Sequence, residues 1–238
     1  MDQRATTGIP GLDRMLNGGF RPGSVNLIWG APGAGKTILG LQFIYEGALK
    51  GEQGLWFSFE EFPHSLYRDA SSLGWDLRQL EQEGKLQLAF TSPSVFLQSL
   101  TARADLLDQF ATERVVLDSI SQLRRLTQDP HELRQLYYQV IRTLKELGVT
   151  SLLIGESNQP DFSKLDRGHI SFMVDSIITL NYVEVDSAMH RAMAVLKMRG
   201  SDHAKEIRRY EIRRGGIVVL EQFQNREGIL SGMSRRTG

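Results

Sequence analysis

Apolar runs and amphipathic stretches alternate along the chain as far as about residue 175. Ser24–Trp29, Gly54–Phe59, Leu86–Phe90, Arg114–Asp118 and Thr150–Ile154 are short, nearly continuous apolar segments. That is the pattern of strands buried on both faces. Between them, Thr37–Lys50, Leu66–Leu73 and Glu132–Leu147 repeat apolar residues with the helical period. In the last of these, Leu133, Leu136, Tyr137, Val140, Ile141 and Leu144 fall on one face, and Gly148 stands where such a helix stops. Gly74 plays the same part after Leu73. Strand–helix alternation predicts an α/β fold, a parallel central sheet with helices on both faces.

From about Ser176 the rhythm changes. Ile177–Val185, His190–Met198, Arg208–Arg213 and Gly216–Glu221 read as consecutive strands with short turns. They are expected to run antiparallel and to extend one edge of the sheet. Trp29, Trp56 and Trp75 fall at packing positions and are assigned no chemistry. The pattern gives one domain over residues 1–224, followed at Asn225–Gly238 by a short tail, poor in apolar side chains and expected to be loose.

Composition narrows the function classes. Lys+Arg and Asp+Glu both count 28 among 238 residues, so overall charge gives no pull toward nucleic acid or an anionic membrane. Cysteine is absent, which excludes disulfides, thiolate metal sites and cysteine nucleophiles. Met1–Pro10 lacks the apolar core of a signal peptide, and no apolar run approaches the roughly 18 residues a membrane helix needs. A cytoplasmic chain without membrane contact is expected.

One motif is specific. Gly30-Ala31-Pro32-Gly33-Ala34-Gly35-Lys36-Thr37 matches G-x-x-x-x-G-K-[ST] in full, between a predicted strand and a predicted helix. Such a loop turns successive backbone N–H groups toward phosphate oxygens, and the helix N-terminus adds partial positive charge. Lys36 is the group for the β- and γ-phosphates, and Thr37 offers a hydroxyl to Mg²⁺. ATP with Mg²⁺ is the implied ligand.

Two further features fit that chemistry. Asp118 ends the apolar run Val115–Leu117, where a strand-end carboxylate would hold Mg²⁺. Without the loop, the same residue would read as a turn cap. Glu60 and Glu61 end the second strand, at the sheet edge where open α/β folds bind ligands. One of them is expected to polarise the attacking water. Sequence does not say which, and a plain acidic loop reads the same. Glu156, Ser157 and Asn158 end the fifth strand, within reach of a γ-phosphate.

Several stretches then resemble a known family. Leu16–Gly19, Gly30–Thr37, Phe57–Glu61, Ser72–Leu77, Glu83–Leu86, Val116–Ser119 and Lys197–His203 resemble the KaiC family in order and spacing, from about Thr6 to Leu220. The clock member of that family has two such domains in tandem. This chain resembles a single-domain relative, close also to the archaeal RadA-paralogue group of RecA-like P-loop ATPases. The resemblance implies ATP hydrolysis in a homo-oligomeric ring, typically a hexamer, with ATP clamped between subunits. One subunit would supply the loop with the adjoining Ile38, the Glu60–Glu61 pair and Asp118. The next would supply Lys197 and Arg199, with Ser201 and His203 in the same interface. Period-2 alternation places Lys197 and Arg199 on one strand face and Met198 on the other. A solvated basic edge has the same pattern.

The leading reading is an ATPase whose ring signals to a protein partner that the sequence does not identify. A second is a recombinase-like protein on DNA, for which Lys164, Arg167, Arg208, Arg209, Arg213 and Arg214 are the basic candidates. A third is an ATP-dependent kinase acting on itself or a partner. The phosphorylated Ser-Thr pair of the clock protein has no secure counterpart here, and Ser201 stands alone near its place.

Overall fold

A computed structural model describes residues 4–101, 111–156, 170–223, 226–227 and 235–236. The five expected parallel strands are β1 (Val25–Gly30), β2 (Gly54–Ser58), β3 (Leu86–Phe90), β4 (Arg114–Asp118) and β5 (Thr150–Glu156). They are followed by β6 (Ser176–Val185), β7 (Ala188–Met198), β8 (Arg208–Arg213) and β9 (Gly216–Gln222). These strands form one sheet in the order β3-β2-β4-β5-β1-β6-β7-β8-β9. The sheet is parallel as far as β6, which pairs parallel with β1, and antiparallel from β6 to β9. The mainly parallel sheet with antiparallel C-terminal strands is therefore as expected. The β6–β7 hairpin turns through Asp186 and Ser187, both at positive φ, the geometry of a two-residue primed turn.

Helices cover both faces. On one lie α1 (Pro10–Met15), α2 (Lys36–Leu49), α3 (Pro63–Leu73) and α4 (Leu77–Gln82), packed with Ile28, Trp56, Trp75 and Ile154. On the other lie α5 (Pro93–Thr101), a 3₁₀ turn at Ile120–Arg125, α6 (Pro130–Glu146) and α7 (Ile170–Met173). That layer packs with Val25, Leu27, Trp29, Leu55 and Phe57. Alternate residues of β1 thus enter opposite cores, which is why its six positions are all buried. The three tryptophans are core residues, as expected, and Trp75 stacks on Tyr45 at 5.5 Å between ring centres.

Helix ends follow local chemistry. α6 begins two residues before Glu132, because Asp129 accepts from the His131 N–H at 2.8 Å and Pro130 occupies the first turn. Gly74 closes α3 in the left-handed region. Helices α1, α4 and α5 were not foreseen, since six to nine residues give too few turns for periodicity to register. Arg114 opens β4 fully buried, paired with Glu52 and donating to the Thr6 and Phe43 carbonyls. In the segment expected to be loose, residues 226–227 pair antiparallel with 235–236. No helix among the described residues is long and apolar enough to cross a membrane.

Candidate nucleotide site

The loop between β1 and α2 carries the phosphate motif, and its glycines are fixed by geometry. A Cβ on Gly30 would lie 1.9 Å from the Leu180 carbonyl oxygen of neighbouring β6, a distance no side chain tolerates. Gly33 and Gly35 sit at φ +75 and +96, where only glycine is unstrained. α2 starts at Lys36, so the loop delivers its backbone to a helix N-terminus.

Two tyrosines hold the loop from the far strands. Tyr182 of β6 donates its hydroxyl to the Gly33 carbonyl at 2.7 Å. Tyr210 of β8 donates to the Ala34 carbonyl and is buried, which pushes its phenol far above the ordinary range. Sequence reading missed both, because their partners lie 149 and 176 residues away and nothing local marks them.

Charges converge below the loop. Lys36 is buried, with its Nζ donating to the Ala31 carbonyl at 2.9 Å. Burial lowers its pKa, while Glu156 and Asp118 oppose that fall. Thr37 Oγ1 donates to Asp118 Oδ2 at 2.9 Å. Asp118 is pushed up to about 7, first by burial, then by the charges of Glu61 and Glu156, against the Thr37 hydrogen bond and Lys36. Removal from water is the main reason that this carboxyl resists ionising.

Glu60 and Glu61 diverge, as adjacent side chains must. Glu60 accepts from Gln122 Nε2, and from Arg125 Nη2 at 3.3 Å, so the 3₁₀ turn holds it. Glu61 is raised by burial, then by Asp69, with Arg68 opposing and Glu60 adding. The Ser58 hydroxyl shapes their turn, accepting from the Glu61 N–H at 3.0 Å and donating to the Glu61 carbonyl at 2.6 Å. Glu156 is placed by its N–H, which donates to Ser121 Oγ at 2.9 Å.

Residues 30–37, Glu60, Glu61, Asp118 and Glu156 therefore share one pole of the sheet. Ile38 is the third residue of α2 and packs against the core. Ser157 and Asn158 lie outside the described residues. Among the described residues no group of three His, Asp or Glu could cage a metal alone. Mg²⁺ does not need one, since it keeps its waters and takes one or two protein oxygens beside substrate phosphates. The donor set of Thr37 and Asp118, with its unbalanced negative charge, fits that ion.

Lys197 and Arg199 are elsewhere. Lys197 pairs with Ile177, which pairs with Leu27, three residues before Gly30. That is roughly 10 Å down the strand from the loop. Lys197 Nζ donates to the Ser171 and Val174 carbonyls at 2.7 and 2.8 Å, and Arg199 donates to the Phe172 carbonyl. Both thus point to one side, at α7, while Met198 packs into the opposite core, as the alternation predicts. Burial, with Arg199 beside it, lowers the pKa of Lys197. Ser201 accepts from Arg4 at 3.0 Å and His203 contacts the Ala204 carbonyl, in the turn after Arg199. Within one chain these four residues do not meet the phosphate loop. Of the basic residues weighed for DNA, Lys164 and Arg167 lie outside the described residues, and Arg209 and Arg213 both pair with Glu211.

Comparisons with known proteins identify the family and the fold. A family model described as "ATPase: KaiC" matches residues 5–224. The chain is 36% identical over 239 residues to the circadian clock oscillator protein KaiC of Picosynechococcus sp., covering 98% of this chain and 46% of that protein. It is 36% identical over 236 residues to the protein of the same description from Thermosynechococcus vestitus, covering 98% and 45%. The chain thus spans under half the length of these relatives. Among solved structures, a KaiC-like protein from Pyrococcus horikoshii OT3 superposes with a TM-score of 0.83 at 31% identity, covering 93% of this chain and all of that one.

Proposed function

The chain belongs to the KaiC ATPase family, and from that premise we propose that it hydrolyses Mg·ATP at sites shared between neighbouring copies in a ring, as a homo-oligomer. The observation behind this reading is the separation of the two halves of the chemistry. The phosphate loop, Asp118 and the glutamate pair occupy one pole, and Lys197 and Arg199 the other. A head-to-tail neighbour is what would bring the second set to the first.

In that arrangement Lys36 exchanges the Ala31 carbonyl for β- and γ-phosphate oxygens. The loop N–H groups and the start of α2 share the remaining phosphate charge. Thr37 and Asp118 are the residues that would hold Mg²⁺, which when bound offsets charge on the phosphate oxygens. Glu60 or Glu61 orients the attacking water and accepts its proton. The neighbour's Arg199, with Lys197, meets the charge that develops on the transferred phosphoryl group. Hydrolysis would then change the fit between copies, and a protein partner could read that change.

Mixing variants tests the shared site. Lys36→Ala and Arg199→Ala should each be inactive alone. Mixed, they form interfaces with an intact loop from one copy and an intact arginine from the other, and phosphate release should return. An active wild type whose variants never complement each other would refute the shared site. Arg199→Ala should bind ATP normally while losing roughly 10³-fold or more in turnover, the scale of an arginine supplied to a phosphoryl group.

A further inference from the structure

Two of the exposed apolar features among the described residues bear on how copies could meet. The first is an aromatic knob beside the glutamate pair. Phe62 is 54% exposed and Phe90 43%, with ring centres 4.3 Å apart, and Val95 of α5 is exposed nearby in the chain. Phe62 follows Glu61 directly, and Phe90 ends β3, so both rings sit on the nucleotide pole. The second is a groove of about 710 Å³ along α6 and α7. Tyr138, Ile141, Phe172 and Met173 give it apolar walls, and Arg199 lines it as well. Tyr138 is 56% and Phe172 64% exposed.

We infer that the Phe62–Phe90 knob of one copy docks into the α6–α7 groove of the next, head to tail, and so sets the neighbour's Arg199 over the nucleotide. This rests on the shared-site reading above and names the surfaces that would create it. Three observations lead to a second copy as the occupant. The knob adjoins Glu61, and Arg199 lines the groove, so seating one in the other brings the two halves of the site together. The charges are complementary. On the knob's pole, Glu61, Asp118 and Glu156 outnumber Lys36, and phosphates would add to their negative charge. Along the groove, Glu146 and Asp175 already balance Arg142 and Lys145, which leaves a positive surplus on Arg134 and Arg199. Finally, knob and groove are different surfaces of one chain. Their contact is heterologous, the kind that closes into rings. Exposed aromatics that enter an apolar pocket are the residues that dominate such interfaces.

The absence of cysteine makes the contact directly testable. A Phe62→Cys/Tyr138→Cys double variant, incubated with Mg·ATP and a short bis-maleimide linker, should give a ladder of cross-linked species up to the full ring. Phe62→Cys alone and Tyr138→Cys alone should remain monomeric on denaturing gels. Phe62→Glu should raise the concentration needed for assembly by roughly 30-fold, as loss of an interface anchor does. No ladder in a sample that sizes as an assembly overturns the docking mode and leaves the shared site standing. A strong dimer band from Phe62→Cys alone places two knobs face to face and also overturns it. A wild-type chain that stays monomeric with Mg·ATP at every concentration overturns both readings.

Discussion

Replacing Asp118 by Asn should make the protein without ligand more stable at high pH while disabling the proposed Mg²⁺ site. The Asp118 carboxyl binds its proton more tightly folded than unfolded, with a folded value of about 7 against an ordinary 3.8. Such a group supports the fold while protonated, and the support is lost as pH rises through that interval. Between pH 5 and pH 7 the loss follows at most about 1.4 kcal/mol per pH unit, or about 1–2 kcal/mol in all once solvent access to this half-buried residue is allowed for. In a chain of 238 residues that corresponds to roughly 2–8 °C in melting temperature. Asparagine keeps the shape and can accept from Thr37, but never ionises. The assay is urea unfolding followed by tryptophan fluorescence, with chelator and no nucleotide, at intervals from pH 5 to pH 8. Other groups titrate in this range, so the quantity read is the difference between wild type and variant. That difference should be smallest near pH 5 and grow to its full size above pH 7, with the variant the more stable. Parallel pH profiles for the two proteins would refute a strained Asp118. With Mg·ATP added the order should reverse, because only the wild type gains ligand stabilisation.

Lys36→Ala should weaken ATP binding by roughly 100-fold or more in calorimetry, since it removes a charge-assisted partner from the phosphates. Gly30→Ala should cost at least about 3 kcal/mol in denaturant unfolding, because the new methyl meets a sheet carbonyl at 1.9 Å rather than a yielding side chain. Tyr182→Phe removes the hydroxyl that holds the Gly33 carbonyl and should lower ATP affinity about fivefold, a loss on the order of 1 kcal/mol, with the fold intact by circular dichroism.

The phosphate loop was legible because its chemistry is local. Eight consecutive residues between a strand and a helix specify a backbone path whatever surrounds them. Asp118 and the glutamate pair were legible for a similar reason, since a hydrophilic residue closing an apolar run marks the end of a parallel strand. The β6–β9 strands were likewise set by period-2 alternation and turn residues. Short elements such as Leu77–Gln82 were not legible, because six residues hold too few repeats to separate from a loop.

Other properties arose only when distant segments met. The tyrosines that hold the loop, the Gln122 and Arg125 side chains that hold Glu60, and the buried Arg114–Glu52 pair depend on strand order and helix placement. No local pattern encodes them. The same holds for the separation of Lys197 and Arg199 from the phosphate loop. The sequence by itself marked the phosphate loop and suggested Thr37 and Asp118 for a metal, and its resemblance to a family pointed to Lys197 and Arg199. Only the tertiary structure put that pair at the opposite pole, because β7 runs antiparallel to β6 and ends where β1 begins.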